Sequence, residues 1–166
     1  MSIQGTLDEV KAMLEPYVNG FISGGRDFEG MFVQRHAPAV FLNDLRPPML
    51  EETEEEYAQN IYPYILLRAP SGFVETDEID AAENSITIIA VIGIHAPGED
   101  MQGERDVCDL IDRIINAVQE NPCTERCRID TKVNWVVDEE DTHPYYHGAV
   151  TLTAYDRLAT RAEYDI

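Results

Sequence analysis

From Ser85 to His95 the chain reads Ser-Ile-Thr-Ile-Ile-Ala-Val-Ile-Gly-Ile-His. Extended, it puts Ile86, Ile88, Ala90, Ile92 and Ile94 on one side and Thr87, Ile89, Val91 and Gly93 on the other. Both sides are largely apolar, so the stretch predicts a central strand that needs cover on both faces. Its β-branched density, and its bounds at Glu83-Asn84 and Pro97-Gly98, favour strand over a buried helix of the same length.

Two stretches carry helical periodicity instead. Leu7, Val10, Met13, Leu14, Tyr17, Val18 and Phe21 recur at three- and four-residue steps, with Thr6 as N-cap and Glu9 completing a capping box. Pro16 should kink or end that helix, and Gly20 should stop what remains. The second and longer helix runs from Met101 or Gln102 through Glu120, with Val107, Leu110, Ile111, Ile114, Ile115 and Val118 as its buried stripe and Asn121-Pro122 as its end. Cys108 beside the stripe reads as a small packed hydrophobe.

Three further strands follow from pattern. Tyr64 to Leu67 is a short one, ended by Ala69-Pro70-Ser71-Gly72 and adjacent to the central strand, antiparallel if the connection is hairpin-like. Ile129, Thr131, Val133, Trp135 and Val137 alternate with polar residues, and Tyr145 to Tyr155 alternates again, so these two should pair as an antiparallel hairpin. Between Ser23 and Asn60 the pattern weakens. Met31 to Gln34 and Ala39 to Leu42 offer at most two edge strands, and Glu51 to Glu56 is an acidic block that reads as a solvated loop or a short exposed helix. The expected fold is a single α+β domain over residues 1–166: a mainly antiparallel sheet of about four to six strands with two helices packed on a face, and an irregular, mobile segment at 43–60.

Charge narrows the functions. Thirty-two acidic against twelve basic residues leave a formal net charge of −20, which repels nucleic-acid phosphates and anionic membranes, so neither specific nucleic-acid binding nor membrane association is expected. Met1 to Gly5 lacks the basic residues and apolar run of a signal peptide, which points to a cytosolic protein, and the three cysteines are then expected to be reduced thiols.

Catalytic motifs are missing. No Gly-x-Ser-x-Gly elbow, phosphate loop or dinucleotide fingerprint occurs, so no catalytic residue, metal ligand or cofactor is assigned. Cys123 and Cys127, and His143 and His147, have spacings a metal could use, and His95 at the end of the central strand is the best-placed lone general base. A small metal-dependent hydrolase using His95, His143 or His147 with carboxylates is therefore the competing reading. A third is an acidic adaptor that binds a basic partner through Glu51 to Glu56.

The ordered part of the chain resembles a known family. Tyr62-Pro63-Tyr64 leads an Ile-Leu-Leu-Arg strand; an acidic loop and an isoleucine-rich strand ending in Gly93 follow, then Met101-Gln102-Gly103 before Asp106-Val107 and Leu110-Ile111. Val133-Asn134-Trp135, an acidic turn, Pro144-Tyr145-Tyr146-x-Gly148 and an alternating last strand complete the likeness. From Tyr62 to Tyr155 the sequence resembles the tail terminator, or tail completion, proteins of long-tailed bacteriophages and prophages. The resemblance implies a non-enzymatic virion protein, a homo-oligomeric and commonly hexameric ring on the head-proximal end of the tail tube. Its partners would be its own copies, the tail tube protein and the head–tail connector protein, and it would be found in the host cytoplasm during assembly and then in the virion tail. The segment from Phe28 to Asn60 departs from the family pattern.

That segment also holds apolar residues with no core periodicity. Phe41, Leu42, Leu45, Pro47, Pro48 and Met49 are the expected interface, because apolar groups in an irregular loop must tuck under the sheet or wait for a partner.

Overall fold

The computed structural model describes residues 2–22, 36–74, 84–98, 102–140 and 142–156. Elements run in the order α1 (Ile3–Val18), β1 (Ala39–Leu42), α2 (Glu54–Ile61), β2 (Tyr64–Phe73), β3 (Ser85–His95), α3 (Gln102–Glu120), β4 (Cys127–Ile129), β5 (Asn134–Val137) and β6 (Tyr145–Asp156). The fold is α+β, a mixed sheet with helices packed on it. Its strand order is β1-β2-β3-β6-β4, with β5 also pairing β6.

The isoleucine-rich strand sits in the middle of that order. β3 pairs antiparallel with β2 on one side and with β6 along its whole length on the other, from Ser85 opposite Tyr155 to His95 opposite Tyr145. Ile86, Ile88, Ala90, Ile92 and Ile94 are all buried. They form one core with Ile65 and Leu67 of β2, Val150, Leu152 and Ala154 of β6, and the apolar stripes of α1 and α3. Those two helices therefore share one face of the sheet. α2 belongs to the other: Ile61 packs with Tyr64 and Leu66, joined by Phe41, Leu45, Tyr57, Tyr62 and Val91. Cover of the second face is partial, since Thr87 and Ile89 remain half-exposed.

Several expectations change. α1 starts a turn earlier than Thr6: the Ser2 hydroxyl accepts the Gly5 amide at 3.1 Å, and Thr6 is buried with its hydroxyl donating to the Ser2 carbonyl at 2.8 Å. Pro16 does not stop the helix, because it lies in the last turn, where buried Leu14, Val18 and Phe21 hold the chain against the core. β2 does not end at Ala69. It continues to Phe73 across a register shift between Arg68 and Ser71, an irregularity that accommodates Pro70, which has no N–H to give to a ladder.

The expected strand Ile129–Val137 is two strands, both antiparallel to β6. Ile129 faces Ala154 and Asn134 faces Thr151, so five steps along this chain match three along β6 and two residues are extruded. Asp130 explains the break: its carboxylate accepts the Lys132 amide at 3.1 Å, a local turn that competes with the ladder. Met31–Gln34 lies outside the described residues, whereas Ala39–Leu42 is β1, parallel to β2. Cys108 is exposed, one position off the stripe that Val107 and Ile111 bury. Among the described residues no helix is long and apolar enough to cross a membrane.

Truncating one side of β3 should cost more than truncating the other. Ile88→Ala empties a fully buried site and is expected to lower stability by about 2–5 kcal/mol, while Ile89→Ala costs about 1 kcal/mol or less. Urea unfolding of both variants checks the ranking; equal losses would mean that the α2 face is as tightly packed as the α1/α3 face.

Candidate functional site

The segment after β1 is held by one carboxylate. Asn43 turns the chain with φ 69°, its amide donating to the Leu67 carbonyl at 2.9 Å and its carbonyl accepting from Arg68 Nε at 3.0 Å. Glu52 then gathers the loop. Both its oxygens accept from the Arg46 guanidinium at 2.9 Å, and it also takes the Met49 amide at 3.2 Å and Asn60 Nδ2 at 3.1 Å. Its side chain is only 7% exposed, and the Arg46 hydrogen bonds hold its carboxyl down to about 2, well below the usual 4.5. Arg46 in turn lies 5.3 Å over the Tyr57 ring, and the Tyr57 hydroxyl donates to the Arg46 carbonyl at 2.7 Å.

The acidic block is thus not uniform. Glu52 is a structural anchor, while Glu54, Glu55 and Glu56 form the first turn of α2, where negative charge suits the helix N-terminus. Thr53 and Glu56 close a capping box, each side chain taking the other's backbone amide, at 3.1 and 3.2 Å. The second half of 43–60, expected to be irregular, is helix for this reason.

The six expected interface residues divide. Phe41 and Leu45 pack on the α2 layer and Leu42 on the main core. Pro47, Pro48 and Met49 stay exposed, Met49 at 65%, and Leu50, which the sequence reading passed over, is fully exposed beside them. Its signal was available: an apolar residue directly after Pro47-Pro48-Met49 and directly before the charged block.

The α2 face also gathers a cluster of rings that periodicity did not reveal. β3 and β6 put His95 opposite Tyr145 and Gly93 opposite His147, and β2 puts Tyr64 opposite Gly93. Gly93 has to be glycine here, because a Cβ would run into the Tyr64 ring. Tyr62 lies among these groups, its ring centre 4.9 Å from Tyr64, 5.4 Å from Tyr145, 6.0 Å from His147 and 6.2 Å from His95. Its hydroxyl is 3.2 Å from His147 Nε2. Burial raises the Tyr62 and Tyr64 hydroxyls and lowers both His95 and His147, with Glu55 opposing the shift at His95 and Asp138 at His147. Neutral imidazoles in a ring cluster are packing and hydrogen-bonding groups first.

The histidines of the hydrolase reading divide: His95 and His147 both flank Tyr62 on the α2 face, while His143 has a different partner. His143 precedes β6 and pairs through Nδ1 with the Tyr146 hydroxyl at 2.9 Å, whereas His147 meets Tyr62. Tyr146 and His147 are successive strand residues and face opposite sides of the sheet. Cys127 is buried, with its sulfur 3.0 Å from the Thr124 hydroxyl, and Cys123 is exposed. Among the described residues no three His, Cys, Asp or Glu side chains are grouped to hold a metal ion. Comparison of the chain with models of known protein families gives no match, and comparison with characterised proteins gives none.

Two pH windows should therefore separate in unfolding experiments. His95 and His147 titrate lower in the folded chain than their ordinary 6.5, so the unfolded chain binds their protons first and stability falls as pH drops below 6.5. His95→Gln with His147→Gln should flatten that decline. Glu52 acts lower: its contribution is complete above 4.5 and is lost as pH falls from 4.5 towards about 2. Denaturant midpoints measured across both ranges check the assignment, and Glu52→Gln should remove the acid-side loss while lowering stability at neutral pH.

Proposed function

We propose that this chain is a ring-forming tail terminator, a structural subunit that caps the head-proximal end of a phage tail tube and presents a surface to the head connector. The observation that carries the reading is the exposed Pro47-Pro48-Met49-Leu50 edge. It lies in the segment expected to make the interface, and the Glu52 contacts hold it in place. Apolar surface presented by a pinned loop binds without the ordering cost that a floppy loop would incur. The likeness of Tyr62 to Tyr155 to the tail terminator family supplies the identity of the partners: further copies of itself in a ring, commonly a hexamer, the tail tube protein and the connector protein.

Ring closure requires a heterologous contact, one patch on a different patch of the next copy. Subunits of charge −20 repel one another, so the free protein should be monomeric in dilute low-salt buffer and close into a ring as salt screens that repulsion or as the tube end gathers copies. Mass measurement across a salt series, with electron microscopy of the high-salt sample, checks this. Met49→Glu with Leu50→Glu should keep the melting temperature and lose the ring. Deleting the gene from its phage or prophage should leave heads and tails unjoined, with tails of abnormal length; normal particles would sink the proposal.

A further inference from the structure

A second surface lies at the other end of the strand order and on the other face. Between β5 and the start of α3 is an open groove of about 860 Å³, with Trp135, Val136, Val137 and Tyr146 on its floor and Glu104 and Asp138 to Glu140, with Thr142 and His143, around it. Its size falls within the roughly 300–1,000 Å³ of sites that bury whole ligands, larger than one side chain needs. Beside the groove α3 packs closely on β6. Gly103 lies against the Tyr146 ring and Gly148 against Val107, and a Cβ at either would collide with that neighbour. Trp135 faces Val150 and Val137 faces Gly148, so both stand on the α3 side of the sheet. Yet Trp135 is 60% exposed and its neighbour Val136, on the other side, 59%. β5 pairs with β6 alone among the described strands, which leaves its outer edge open.

The rim is acidic on both walls: Glu104 from α3, and Asp138, Glu139 and Glu140 from the turn. None of the four pairs with a cation among the described residues; Arg105 lines a neighbouring depression that shares Glu104 with the groove and adds Cys108, Asp109 and Asp112. An apolar aromatic floor between carboxylates that hold no cation is complementary to cations on apolar stems, although Asp138 also accepts the Glu140 amide at 3.0 Å. Arginine is the best match, since its guanidinium stacks on indole and forks onto carboxylates. A second copy of this chain, at −20, brings the wrong sign.

We propose that this groove docks an extended basic segment of a partner protein, with arginine side chains lying between Trp135 and the Glu104 and Asp138–Glu140 walls. The site is separate from the Pro47–Leu50 contact and does not depend on it. The test uses the full chain, in which Trp135 is the sole tryptophan and reports from inside the groove. Titration with a short peptide of alternating arginine and valine should give a saturable change in indole emission that weakens with salt, and a glutamate–valine peptide should give none. Asp138→Asn, Glu139→Gln and Glu140→Gln together should weaken binding about tenfold, and Glu104→Gln alone by a smaller factor, as losses of exposed ion pairs do. Glu54→Gln with Glu55→Gln on α2 should leave it unchanged, and circular dichroism of each variant confirms the fold. If the α2 variant weakens binding as much as the turn variant, the attraction is to overall charge and the proposal fails. It fails equally if the peptide binds without an indole response.

Discussion

Everything in this fold hangs on the row of Ile86, Ile88, Ala90, Ile92 and Ile94. These side chains are buried between the sheet and the α1/α3 layer, and β3 can hold them there only by pairing along its length with β2 and β6. Because side chains alternate along a strand, a slip of one residue would turn the row to the far face and bring Thr87 and Ile89 into the core. Register is therefore fixed by the hydrophobic term. With the row in place, His95 must stand opposite Tyr145 and Gly93 opposite His147, and the ring cluster on the second face is a consequence of the core on the first.

The second face is assembled on different principles. Its apolar cluster is small, and α2 has eight residues, too few to be stable as an isolated helix. What holds it is polar: the capping box at Thr53 and Glu56, and Glu52 binding Arg46, Met49 and Asn60 at once. In a chain with so few basic residues, this bidentate pair is a notable use of one arginine. It converts part of a self-repelling acidic block into the element that shapes the loop, with the charge least exposed where it is paired.

How much of this was legible follows from what sequence patterns report. Periodicity finds elements whose sides differ in polarity, so α1, α3, β3 and β6 stand out, as does the antiparallel pairing of their neighbours. It fails where side chains rather than hydrophobic burial decide the backbone. Asp130 breaks a strand that alternates perfectly on paper, and β2 runs on through Ala69-Pro70-Ser71-Gly72 because a bulge absorbs the proline. α2 was only half legible, since a run of glutamates reads equally as a solvated loop or a short exposed helix and the capping box at Thr53 and Glu56 decides for helix. The exposed apolar part of the loop was half legible: lack of core periodicity singled out Phe41, Leu42, Leu45, Pro47, Pro48 and Met49, but only contacts distinguish the tucked Phe41, Leu42 and Leu45 from the exposed Pro47 to Leu50. The groove could not be read at all, since alternation assigns Trp135 to the core side, where it nevertheless stays 60% exposed.

The two exposed surfaces differ in a way that bears on what each can bind. Pro47 to Leu50 is neutral and apolar, and charge neither helps nor specifies its partner; its discrimination must come from shape, which a loop pinned by Glu52 can supply. The β5 groove places carboxylates around an indole, so its discrimination is electrostatic at long range and geometric only at contact. On a molecule of charge −20, steering brings any basic chain near. Selectivity therefore depends on the exposed aromatic floor, and a basic partner that cannot reach Trp135 gains nothing there beyond the general attraction.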